Sequence, residues 1–177
     1  MDYQIRKAQI SERDKIRELI VNSARRLSRE DYSNSQIEAA VRQVFGVDTI
    51  LIDDGTYFVA EKDGELIGCG GWSRRRTLFG GDQFLNRDSS ELDPQTEPAK
   101  IRAFFIHPNF ARQGIARAIL SRCEAEAGTH GFRSLELMST LPGIKLYEAC
   151  GFEKAEPTEL VVDGVTIPFV VMKKKLD

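Results

Sequence analysis

The stretch FFIHPNFARQGIARAIL, residues 104–120, sets the end of an apolar strand, a tight connection and the start of a helix in direct succession. Pro108 stops the strand, Gly114 opens the helix, and Ile115, Ala118, Ile119 and Cys123 recur on one face of it. A helix start exposes unpaired amides and the positive end of the dipole, and a small residue there lets an anion approach the backbone. Arg112 and Arg117 flank this cradle and can pair with phosphate oxygens. The same string is also compatible with a glycine that only relieves a strand-to-helix turn, with both arginines in solvent.

Working outward, IRAFFIH (101–107) reads as a mostly buried strand and SLELM (134–138) as another. Two buried strands joined by one helix imply a parallel pair with a right-handed crossover. Pro142 suits the first turn of a short helix holding Ile144, Leu146 and Tyr147, which Gly151 closes. Glu159 to Val162, the Asp163-Gly164 turn and Val165 to Lys173 form a terminal hairpin. Towards the N-terminus, Tyr3 to Arg6 alternate as a short strand, and Ser11 with Asp14 opens a helix over about 12–28. Ser35 caps a second helix that Gly46 stops. Thr56 to Glu61 and Glu65 to Trp72 make a hairpin around Asp63-Gly64. From Thr77 to Glu97 periodicity gives way to glycine, proline and acids, so this connection is either functional or disordered.

The 177 residues are expected to form one domain over 1–177. Lys and Arg number 25 against 27 Asp and Glu, a net charge of −2, which gives no overall field for nucleic acid. No apolar run approaches the length of a membrane helix, and the first twenty residues lack the apolar segment of a signal peptide, so a cytoplasmic location is expected. Cys69, Cys123 and Cys150 form no CxxC pair, and His107 and His130 lack partners, so no metal site is expected. Cys150 reads as packing rather than as a nucleophile.

The segment Gly114-Ile115-Ala116 resembles the acyl-CoA motif of the GNAT superfamily of N-acetyltransferases, Arg/Gln-x-x-Gly-x-Gly/Ala, with Ala111 in place of its first polar residue. LYEACGF (146–152) resembles the family's late Tyr-x-x-x-Gly-Phe element, and the order of elements along the chain follows the family. The resemblance implies an α+β fold: a mixed, mostly antiparallel sheet of about six to seven strands, about four flanking helices, and a splayed parallel strand pair. It implies acetyl-CoA as co-substrate, with its pantetheine arm bonded to the backbone near Phe105, Ile106 and His107. The pyrophosphate would rest on Arg112, Gln113, Gly114, Ile115, Ala116 and Arg117, and Ser139 would contact the pantetheine or cap the next turn.

By its place in that motif Tyr147 would be the general acid for the departing thiolate, the alternative being an aromatic anchor of the short helix. No general base stands out: relatives often carry Glu where this chain has Lys100, and Glu61, Glu97 and Glu136 are the remaining candidates. Arg74, Arg75 and Arg76 would form a basic patch with Lys100 and Arg102, either to receive an anionic acceptor or as a solvated edge balanced by the acidic loop. The leading expectation is acetyl transfer to a small primary amine, possible acceptors including anionic ones. The alternatives are a non-catalytic acyl-CoA sensor and an enzyme acting on protein amines. The apolar IPFVVM (167–172) would supply a face for a homodimer.

Overall fold

The chain is described by a computed structural model over residues 2–177. Seven strands run β1 (Gln4–Lys7), β2 (Tyr57–Lys62), β3 (Glu65–Ser73), β4 (Ala99–Ile106), β5 (Ser134–Ser139), β6 (Glu153–Val162) and β7 (Val165–Lys175). Five α-helices join them: α1 (Arg13–Leu27), α2 (Asn34–Gln43), α3 (Thr49–Asp53), α4 (Ile115–Thr129) and α5 (Ile144–Ala149). The sheet order is β1-β2-β3-β4-β5-β7-β6. Every neighbour is antiparallel except β4 and β5, which α4 connects.

Both hairpin turns form where the Asp-Gly pairs stand. Asp63 and Gly64 hold φ of 50° and 81°, Asp163 and Gly164 51° and 75°, the positive values a primed two-residue turn requires. Strand alternation then divides the core. Phe58 and Ala60 of β2 face Ile115, Ile119 and Leu120 of α4, whereas Tyr57 and Val59 face Ile16, Leu19 and Ile20 of α1. A third cluster seats Ile37 and Ala40 of α2 on Ile167 and Phe169 of β7. Trp72, fully buried, is the largest side chain in the α4 layer.

Several local expectations are corrected. A fifth helix, α3, occupies the apolar run before Thr56; Asp48 caps it by accepting from the Ile50 amide at 3.2 Å. Ser33 rather than Ser35 caps α2, in a reciprocal box with Gln36. Residue Gln9 with Glu12, not Ser11 with Asp14, begins the 3-10 turn that leads into α1. Strand β6 starts at Glu153, six residues earlier than its apolar part, because pairing with β7 carries the polar EKAEPT segment along. Residues 77–97 fold back on themselves through Arg76 N to Ser90 O and Thr77 N to Asp88 O, both 2.9 Å. No helix among the described residues is long and apolar enough to cross a membrane.

Candidate active site

Strands β4 and β5 pair only at Ala99–Leu135 and Lys100–Glu136, then part. The divergence begins at a bulge. Ala103 holds φ of 55°, and the β3–β4 register shifts between Cys69 and Gly71 opposite it. Two buried groups tie the bulged carbonyl: Tyr57 Oη donates to Ala103 O at 3.1 Å, and Cys69 Sγ at 3.8 Å. Glycine is required across from it, because a Cβ on Gly70 would lie 2.7 Å from the Phe104 ring. The run GCGG in β3 is thus the imprint of the bulge on its neighbour.

Strand β4 leads through a 3-10 turn at Pro108–Phe110 to the start of α4. Gly114 is its N-cap with φ of 83°, no side chain caps it, and no acid lies in its first turn. The amides of Ile115, Ala116 and Arg117 therefore have no carbonyl within the helix to bond. A Cβ on Gly114 would meet no atom within 4 Å, so the space before these amides is open to a ligand. That geometry fits a pyrophosphate resting on the backbone. Arg112, exposed with φ of 64°, stands beside the cradle. The Gln113 side chain donates to Asn109 O and Arg117 to Ala149 O, at 3.2 and 3.0 Å, so both brace local backbone. His107 is likewise engaged, its Nδ1 accepting from the Asn109 amide at 3.2 Å. Ile106 N takes Ser23 Oγ of α1 as acceptor at 3.2 Å. Ser139 is buried and donates to Thr140 O at 2.7 Å.

Where β4 and β5 separate lies a cavity of about 80 Å3. Residues 101–105 of β4, Leu137 and Met138 of β5, and Tyr147 of α5 form one side; Phe45, Gly46 and residues 78–81 form the other. The Tyr147 ring packs edge-on against Phe104 and Phe152, with centroids 6.4 and 5.7 Å away. Gly143 permits this placement, since a Cβ there would come within 3.2 Å of the Tyr147 ring. Among the described residues the Tyr147 hydroxyl has no hydrogen-bond partner, and burial pushes its pKa well up. Tyr147 is a protonated donor in the wall of the cavity.

Among the described residues no carboxylate lines that cavity. Glu61 is held by Arg6, Glu97 by Arg76 and Glu136 by Lys100, so none of the three base candidates reaches it. The expected basic patch is also absent as a free surface. Arg74 and Arg75 pair with Asp54, Arg74 also with Glu91, and Arg76 with Glu97 and Asp88. The solvated, charge-balanced reading of that triplet is the one its geometry fits.

One cavity residue that sequence reasoning placed only in a patch is Arg102. Its guanidinium, 5% exposed, meets Asp48 at 2.7 Å and donates to Gly80 O. Asp48, fully buried, also takes Arg87 at 2.7 Å, and Arg87 reaches Asp82 at 3.3 Å. Burial lowers the Arg102 pKa, with Asp48 opposing the shift. This chain of charges fastens the α2–α3 connection and the 80–87 segment to β4, and so positions the far wall of the cavity. The signal for it was an arginine inside an apolar strand, which demands a buried partner.

The sequence pattern of the acetyltransferase (GNAT) family matches residues 21–152. Among solved structures, a GCN5-related N-acetyltransferase of Rhodopseudomonas palustris superposes with a TM-score of 0.74 at 16% identity, covering 99% of this chain and 97% of its own. The PaiA N-acetyltransferase of Thermoplasma acidophilum, solved with coenzyme A, gives 0.66 at 17% identity, covering 99% and 100%. The Salmonella typhimurium protein YncA, solved with its cofactor acetyl-CoA, gives 0.64 at 18%, covering 100% and 95%. At such identities the likeness is one of fold, and none of the curated protein sequences matches the chain. Because the matched pattern spans the bulged strand, the α4 cradle and Tyr147 together, the chain belongs to the GNAT acetyltransferase family.

Proposed function

We propose that this single domain transfers an acetyl group from acetyl-CoA to the primary amine of a small molecule by direct attack. The observation that carries the reading is that one matched pattern holds the parting of β4 from β5, the uncapped start of α4 and the cavity at Tyr147. Acetyl-CoA supplies the activated thioester. Backbone groups of Phe105, Ile106 and His107 would bind its pantetheine arm, and the amides of residues 113–117, with Arg112 beside them, its pyrophosphate. A backbone amide in the splayed half of β4 would polarise a carbonyl placed against it. Tyr147 donates a hydrogen bond to the leaving sulfur. Phe45, Phe79, Phe104 and Phe105 supply aromatic faces to the cavity wall.

With no carboxylate in the cavity wall, the ammonium proton leaves to water before attack. Thermal shift with acetyl-CoA, CoA and ATP tests the ligand: stabilisation by the two CoA species and not by ATP is expected. Absence of any shift with CoA would overturn the reading. Thiol release with an amine panel then separates turnover from mere binding.

A further inference from the structure

Two depressions meet at Phe45 and Gly46. One is the cavity at the β4–β5 opening; the other is a groove of about 720 Å3 between α1 and α2. Both residues stand in both walls, so they are the partition between the groove and the place where acetyl transfer would occur.

The groove is strongly one-signed. Arg13, Arg17, Arg25 and Arg42 line it, and its sole carboxylate among the described residues is Asp82, already engaged by Thr49 and Arg87. Arg25 is matched by Glu38 and Arg42 by Asp163. Arg13 and Arg17 differ: exposed and one turn apart on α1, they have neither an ion pair nor a side-chain hydrogen bond among the described residues. Asp14 and Glu18, their neighbours on α1, and Lys15 between them form no ion pair either. Two like charges at i and i+4 oppose the helix that bears them, so the fold gains nothing from this pair. Paired guanidiniums do suit a carboxylate or phosphate, whose oxygens accept from the planar forks.

We infer that the acceptor is a small anionic amine whose carboxylate or phosphate is held by Arg13 and Arg17 while its amine passes Phe45 into the cavity. The inference rests on the acetyltransferase reading above. In the step it serves, the amine nitrogen bonds to the acetyl carbon, the carbon–sulfur bond breaks, and the two protons lost from the ammonium end on solvent and on the CoA thiol. The positive groove also disfavours a second ammonium, which sets polyamines apart from the acceptors it admits.

The test follows acetyl-CoA-dependent thiol release with α- and ω-amino acids against their amides, phosphoethanolamine against ethanolamine, putrescine, and an acidic peptide. An anionic amine is expected to exceed its uncharged counterpart in kcat/KM by about tenfold or more. Preference for the carboxylate or for the phosphate member identifies the anion. The Arg13→Gln/Arg17→Gln variant should erase that advantage through KM, leaving kcat and CoA affinity within about twofold. Equal use of amides or ethanolamine, an unaffected double variant, or preference for putrescine or the peptide would overturn the inference. So would CoA binding with no anionic amine turned over, an outcome that leaves the CoA site standing. Loss of CoA binding altogether strikes the underlying reading instead.

Discussion

Tyr57 and Ala103 belong to strands that are not neighbours in the sheet, yet the Tyr57 hydroxyl donates to the Ala103 carbonyl at 3.1 Å. The bond crosses beneath β3 and holds the residue at which β4 turns away from β5. Burial raises the Tyr57 pKa well above the ordinary phenol value, so the donor persists at every working pH. Tyr57→Phe removes one neutral hydrogen bond, a loss of about 1 kcal/mol and a fall in Tm of about 2–4 °C. Because the bulge also orients the backbone that would bind the thioester, kcat should fall further than stability does. Calorimetry beside steady-state kinetics measures both; an unchanged kcat would detach the bulge from catalysis.

Gly114 is the one position where a methyl group separates binding from folding. Its φ of 83° costs a side chain about 1–2 kcal/mol, while a Cβ there touches nothing in the protein. Gly114→Ala should therefore remain folded but bind CoA about tenfold more weakly, since the added carbon stands where phosphate would approach. Isothermal titration with CoA on the variant gives the answer directly.

Tyr147→Phe removes a hydroxyl that no described residue satisfies, so stability should change by less than about 0.5 kcal/mol. If the hydroxyl assists the leaving thiolate, kcat falls by about 100-fold or more with the CoA affinity preserved. Equal rates in the variant and the parent would remove Tyr147 from the chemistry and leave it an aromatic anchor.

The pH profile has a definite shape. Burial raises the Tyr147 pKa, which keeps its proton in place through the alkaline range and removes the descending limb an ordinary phenol would impose near pH ~10. With the amine losing its proton to water, kcat/KM should rise about tenfold per pH unit until the amine's own pKa. A plateau near pH ~6 would point to a protein base outside the cavity wall.

Asp48 is fully buried against Arg87 and Arg102. Asp48→Asn strands two guanidiniums without their shared charge, a loss of about 3–5 kcal/mol. A double variant, Asp48→Leu with Arg102→Met, should recover part of it by replacing charge with apolar volume. Chemical denaturation of the three proteins checks the order.

Legibility in the sequence followed the range of the interaction. Both Asp-Gly hairpins, the Gly114 helix start and the crossover between 101 and 138 were readable because each depends on backbone preferences within a few residues. Helix α3 was not, because TILID is a β-branched apolar run that becomes helical through the Asp48 cap and the burial of Leu51. The arginines show the same limit more sharply. Arg74 to Arg76 and Arg13 with Arg17 are equally basic on paper, but Asp54, Glu91, Asp88 and Glu97 neutralise the first set and nothing described neutralises the second.

Sequence alone determined the order of elements, the family resemblance and the place of the glycine-opened helix start, because a glycine helix start and alternating apolar residues act locally. Only the tertiary structure decided where β4 leaves β5, which side chains wall the cavity and which charges stay unmatched. Those depend on contacts between residues tens of positions apart, such as Tyr57 with Ala103 and Asp48 with Arg102, whose pairing no local pattern encodes.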